Sequence, residues 1–167
     1  LGAGVDAVTG SSGDDSLSSG AGADTLDGGA GDDHFDLGAN DGATDVVVLR
    51  NGSNNDRITN FEAPTPNGDG TFEGNDQLDV STLLAPSGDP VTTVDVNVAD
   101  DGDGNALLLF HDGVTVTLVG ITPAEADNIY YLNAIGIPLP LNYIVEGDDG
   151  DNLIDDAYLA DPQGDRI

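Results

Sequence analysis

Four aspartates recur at nine-residue intervals near the start of the chain: Asp6, Asp15, Asp24 and Asp33. Each stands two residues after a glycine, namely Gly4, Gly13, Gly22 and Gly31. Each also stands two residues before an apolar residue, namely Val8, Leu17, Leu26 and Phe35. A carboxylate is a hard oxygen donor, and Ca²⁺ gathers its ligands from carboxylates, backbone carbonyls and water. Asp is short, so it holds that oxygen close to the backbone, and it suits turns. Gly admits backbone angles that other residues resist, which brings turn carbonyls inward. The spacing therefore suits an all-oxygen calcium cage built from the four Asp side chains and the carbonyls of the four Gly.

The elements that must hold this cage follow from the period. Residues 1–36 divide into the nonapeptides LGAGVDAVT, GSSGDDSLS, SGAGADTLD and GGAGDDHFD. The first six residues of each make a turn and the last three a short strand, with the apolar residue pointing inward. Two nonapeptides make one coil, so Asp6 is expected over Asp24, and Asp15 over Asp33. A flexible Gly/Asp linker would have no reason to keep an apolar residue in every ninth position.

The pattern G-G-x-G-x-D-x-(apolar)-x resembles the RTX, or haemolysin-type, calcium-binding repeat. GGAGDDHFD at 28–36 matches every specified position, whereas Leu1, Ser11 and Ser19 replace Gly in the other three units. Those replacements are expected to loosen the turns while leaving the Asp residues in place. The resemblance implies a parallel β-roll and export by the type I secretion machinery. Asp56-Arg57-Ile58-Thr59-Asn60-Phe61 and Asn75-Asp76-Gln77-Leu78-Asp79-Val80-Ser81 are also familiar. They resemble the D-x-I-x-x-F and D-x-L-D-L-S segments that close such arrays in serralysin-like proteins.

Charge narrows the partners. The 167 residues carry 32 acidic side chains, 28 of them Asp, against three Arg and no Lys, for a net charge of −29. Phosphate backbones and anionic membrane surfaces both need cationic residues, so neither is an expected partner. Bound cations would offset the self-repulsion. A hydrophobic content of 38% argues against disorder along the whole chain. There is no Cys, which excludes disulfides and thiolate metal sites. No apolar run is long enough for membrane insertion, and no signal peptide is visible. The chain opens Leu1-Gly2-Ala3-Gly4 inside a repeat, which suggests a piece of a longer protein.

Beyond Asp36 the repeat decays, with Asn40 and Gly42 out of pattern. Val46–Val48 lie in a run that reads as a buried strand, and 62–75 as an inserted turn or hairpin. In the run 91–98, Val94, Val96 and Val98 alternate as one face of a strand. Asp112-Gly113 joins two strand-like runs as a hairpin. Thr122-Pro123-Ala124-Glu125 is a capping box that opens a helix near 123–132. The expected organisation is an all-β chain: a short parallel β-roll at 1–44, then a small β-rich cap with one short helix at 45–137. A linker at 138–146 and the start of a second array at 147–167 follow, the latter resting on GDDGDNLID with Asn152 in the Asp position.

Weaker candidates were weighed against plain turns. Asp101, Asp103 and Asn105 have ligand types at EF-hand-like spacing, but Ala106 stands where Gly is needed. A hairpin turn is the better reading. His34 and His111 are far apart in sequence, and no H-E-x-x-H motif exists. Arg50 and Arg57 are expected to pair with nearby carboxylates.

The expected function is a non-enzymatic, calcium-triggered folding module of a secreted protein found outside the cell or at its surface. Its role would be structural or adhesive, as in a surface layer, an adhesin or a filament, with self-association through such contacts. The alternative is the C-terminal secretion and folding module of a secreted protease, lipase or epimerase, with the catalytic domain outside this chain.

Overall fold

The computed structural model describes residues 1–38 and 41–140. The expected second array at 147–167, its Asn152, and most of the linker at 138–146 lie outside the described residues.

The nonapeptides form half-coils, and alternate half-coils fall on opposite sheets. On one side lie β1 (Ala7–Ser11), β3 (Thr25–Gly29), β5 (Val46–Val48) and β9 (Gln77–Asp79), paired in that order. On the other lie β2 (Ser16–Ser18), β4 (His34–Asp36) and β6 (Asn55–Thr59), and all of these neighbours are parallel. This is a β-roll. Its register puts Ala7 beside Thr25 and Ser16 beside His34, an 18-residue coil in both sheets.

Strand alternation turns every second residue inward. One file of inward residues is Val8, Leu26, Val47 and Leu78, and the opposite file is Leu17, Phe35, Ile58 and Leu118. Both files belong to one continuous hydrophobic core. Val8, on the first strand, is only partly buried.

The ladders do not stop at residue 44. Parallel pairing carries on through β5, β6 and β9, and the chain between them accommodates insertions. The largest, 62–75, forms a hairpin of β7 (Thr65–Pro66) and β8 (Phe72–Glu73). Phe72 meets Tyr131 edge to face, with ring centroids 5.6 Å apart.

The cap continues one sheet and seals the other. β12 (Thr115–Leu118) pairs in parallel with β6, and antiparallel with β11 (Ala106–Leu109). β10 (Asn97–Asp100) ends the sheet. Asp112, in the tight turn His111–Gly113 that joins β11 to β12, takes a left-handed φ of 60°. The expected strand over 91–98 is corrected. Thr93–Asp95 is a 3₁₀ turn, with Val94 at 58% exposure. The Asp95 carboxylate accepts from the Thr92 N–H and hydroxyl, which outweighs the strand propensity of the valines.

The expected single helix is two. α1 (Pro123–Ala126) carries the capping box between Thr122 and Glu125. It ends at Asp127, and Asn128 then caps α2 (Ile129–Ala134) by accepting from the N–H groups of Tyr130 and Tyr131. The segment after α2 closes the edge of β9. Leu78 donates its N–H to the Ile135 carbonyl at 2.7 Å, and Gln77 Nε2 donates to the Ala134 carbonyl at 2.8 Å. Gly136 is left-handed at φ 102°, and a Cβ there would collide with the Leu78 carbonyl.

Ile58 is fully buried where the two halves of the core meet. Ile58→Ala should destabilise the chain by roughly 2–5 kcal/mol. Urea denaturation at saturating calcium checks this, and a loss under about 1 kcal/mol would contradict the packing described.

Candidate calcium site

The expected aspartate pairs come together. Asp6 donates its N–H to Asp24 Oδ1 at 2.7 Å, and Asp15 donates to Asp33 Oδ1 at 2.9 Å, each across 18 residues. In each pair the carboxylate of the later coil reaches back to the backbone of the earlier one.

These pairs extend into two longer columns that the nonapeptide frame did not reveal. Asp24 donates to Asp45 Oδ1 at 2.8 Å, and Asp45 to Asp76 Oδ1 at 3.0 Å. On the opposite side Asp33 donates to Asp56 Oδ1 at 3.0 Å. The columns are therefore Asp6–Asp24–Asp45–Asp76 and Asp15–Asp33–Asp56. Insertions lengthen the later steps to 21, 31 and 23 residues, so the period is lost while the stacking persists. The surviving signal is Asp-x-(apolar) alone: Asp45 before Val47, Asp56 before Ile58 and Asp76 before Leu78. An outer file was also missed. Asp14 Oδ1 accepts from the Asp32 N–H, and Asp32 Oδ1 from the Asn55 N–H.

Two column carboxylates are incomplete. Asp24 and Asp33 are 1% and 2% exposed, and the Oδ2 of each has no hydrogen-bond partner. Asp27, outside the columns, pairs with Arg50 through Oδ2 and leaves its buried Oδ1 bare. A buried carboxylate oxygen without a partner costs several kcal/mol, of order 1–3 or more. Asp33 Oδ2 faces Gly28 so closely that a Cβ there would occupy its place. Asp15 Oδ2 lies 2.7 Å from where a Cβ on Gly10 would sit. The glycines thus leave the room that the carboxylates themselves occupy. The donor set suits a hard cation, which would take the bare oxygen as a ligand. Among the described residues no three His, Asp or Glu side chains converge, so turn carbonyls and water must supply the other ligands.

The glycines are not equivalent. Gly4, Gly22 and Gly31 have φ of 148°, 109° and 127°, whereas Gly13 is outside the positive region. A Cβ on Gly31 would approach the Gly13 carbonyl carbon to 2.7 Å, so it is close stacking that demands Gly there.

The serines that replace Gly do not loosen their turns. Ser11 donates both its N–H and its hydroxyl to Asp15 Oδ2, at 2.6 and 3.0 Å. Buried Ser19 donates its hydroxyl to Asp45 Oδ2 at 3.2 Å. Each hydroxyl supplies a donor that Gly lacks.

The weaker candidates fall elsewhere. Asp101 Oδ1 accepts from the N–H groups of Asp103 and Asn105, and its Oδ2 from Asn105 Nδ2. Asp101 therefore shapes the turn between β10 and β11, and exposed Asp103 joins neither column. Arg50 pairs with Asp27 at 2.6 Å and Arg57 approaches Asp101 at 3.8 Å. Exposed His34 lies beside Thr59, and His111 beside Asp112.

Burial dominates the acidity of four column aspartates. It raises Asp33 and Asp45, and it pushes Asp76 up to about 6 and Asp56 up to about 7. Backbone N–H donors oppose the rise, while neighbouring carboxylates add to it. Asp56 is the extreme because a single N–H donor, that of Asp33, opposes its burial, whereas Asp76 accepts two.

Residues 2–42 match the family of RTX calcium-binding nonapeptide repeats, in four copies. That stretch is therefore similar to an RTX array, and calcium is the ion such repeats bind. No curated protein matches the chain. Among solved structures it is similar to the AlgE6R3 subunit of the mannuronan C5-epimerase of Azotobacter vinelandii. That likeness has 22% identity over 90% of this chain and 86% of the other, with a TM-score of 0.32. Among the described residues no helix is long and apolar enough to cross a membrane.

A raised folded pKa means that the folded state binds its proton more tightly than the unfolded chain does. The stability this provides is complete below the ordinary carboxylate value of 3.8 and is lost as pH rises through about 6 for Asp76 and about 7 for Asp56. With calcium chelated, melting temperature should therefore climb as pH falls from 8 to 5, and Asp56→Asn should flatten the upper part of that climb. A chelated protein that melts at the same temperature across this window would contradict the column electrostatics.

Proposed function

We propose that this chain is a calcium-triggered folding module of a secreted protein, with a structural or adhesive role and no catalysis of its own. The observation that carries the proposal is the pair of bare, buried oxygens on Asp24 and Asp33 inside stacked turns. Without a cation, those turns bury charge next to charge. With one, the same oxygens become ligands, and binding free energy becomes folding free energy.

The reading accounts for the chain's charge. Calcium-poor cytosol would leave the array unfolded by carboxylate repulsion, a state suited to passage through the type I secretion machinery. Outside the cell, calcium at about the millimolar level matches modules whose dissociation constants are of order 10⁻⁴–10⁻³ M. A structural role is favoured because the described residues invest in turns, ladders and a sealed cap. The two described histidines stand on separate exposed segments, each beside one polar neighbour. A surface-layer, adhesin or filament setting would add contacts between copies.

Far-UV circular dichroism during a calcium titration, followed by chelator, tests the trigger. The β signal should grow with a midpoint of about 0.1–1 mM and fall again on chelation. Asp24→Ala and Asp33→Ala should each move the midpoint several-fold upward. A spectrum indifferent to calcium and chelator would overturn the proposal, and unchanged midpoints in both variants would overturn the ligand assignment.

A further inference from the structure

We infer that the chain consists of two folding units: residues 45–137 form a template that folds without calcium, and residues 1–38 order on it only when calcium is bound. The inference rests on the calcium-module reading above and adds where the calcium requirement begins and ends.

The core is unevenly shared. Among the described residues, 26 hydrophobic side chains are buried. Only four of them, Leu17, Leu26, Phe35 and Leu37, precede residue 45, and the other 22 lie in 45–137. Apolar burial is the main favourable term in folding, and ordering the backbone is the main cost. Four buried side chains cannot offset the ordering of so glycine-rich a segment, whereas 22 can hold the longer one.

The charges divide at the same place. Three buried carboxylate oxygens lack a partner, on Asp24, Asp27 and Asp33, and all three lie in the array. The buried side-chain atoms without a partner in 45–137 are neutral hydroxyls, on Thr93 and Tyr131. Buried Asp76 is satisfied from within the template, since its two oxygens accept the N–H groups of Asp45 and Glu62. Asp45 and Asp56 take donors from the array, through Asp24, Ser19 and Asp33. With the array unfolded, both would sit at open strand edges and face water. Residues 1–44 hold nine Asp and no cationic side chain, while both described arginines, Arg50 and Arg57, belong to the template.

The template also has its own ladders. β6, β12, β11 and β10 pair in one sheet, β5 and β9 pair in the other, and the segment after α2 seals β9. The edges it turns toward the array are β5 and β6, the strands on which β3 and β4 dock. Calcium would thus extend an existing two-sheet edge, with no need to build a roll from a disordered chain.

Hydrogen exchange read by mass spectrometry on the full chain, in millimolar calcium and in chelator, tests this. Peptides covering 46–135 should stay protected in both conditions, and those covering 7–36 should lose at least tenfold in protection on chelation. Loss of protection over 46–135 together with 7–36 would mean one cooperative unit and would overturn the inference while leaving the calcium trigger standing. Equal protection of 7–36 with and without calcium would overturn the trigger as well. In millimolar calcium, the Asp24→Asn, Asp33→Asn double variant should leave 7–36 unprotected and 46–135 unchanged. Wild-type protection of 7–36 in that variant would also count against the inference.

Discussion

The rest of the structure depends on one hydrogen bond repeated along two columns. The N–H of each column aspartate donates to the carboxylate of the aspartate one coil later. This bond fixes the register of the coils and makes the turns stack. It also imposes a cost, because neighbouring strands lie only about 4.8 Å apart and carboxylates in register repel at that range. The fold must answer that repulsion at every step, and the answers differ along the chain. Asp76 receives a second N–H and Asp45 a hydroxyl, whereas Asp24 and Asp33 each keep one oxygen without a donor.

The ends of the roll follow from the same constraint. A column stops where the next strand offers something other than aspartate. Beside Asp56 that residue is Val116 on β12, which the turn His111–Gly113 joins to its antiparallel neighbour β11. At β9 the chain after α2 lies across the edge, and Gly136 permits the approach.

The repeat was legible because its signal is local. Gly, Asp and an apolar residue recur at fixed offsets, and the strand period then dictates which aspartates meet. The Thr122 capping box and the Asp112-Gly113 hairpin were legible for the same reason, since each is set by neighbouring residues. The continuation of the columns through Asp45, Asp56 and Asp76 was not legible as a repeat. Insertions between coils leave stacking intact but destroy periodicity, and sequence offset is the only thing a repeat search can see. The roles of Ser11 and Ser19 were misjudged because a glycine-to-serine change looks like lost turn freedom, when the hydroxyls found carboxylates to donate to. The strand expected over 91–98 failed where a side-chain cap competed with the backbone ladder at Thr92 and Asp95.

The proposed calcium trigger turns on Asp24 and Asp33, whose Oδ2 atoms are buried and have no hydrogen-bond partner. The most direct measurement is a crystal structure grown in calcium, with an anomalous difference map calculated at long wavelength. The account predicts peaks at about 2.3–2.6 Å from Oδ2 of Asp24 and of Asp33, the distance expected for calcium and oxygen. A map with no peak at either oxygen, in a protein whose turns are nonetheless ordered as described, would contradict it.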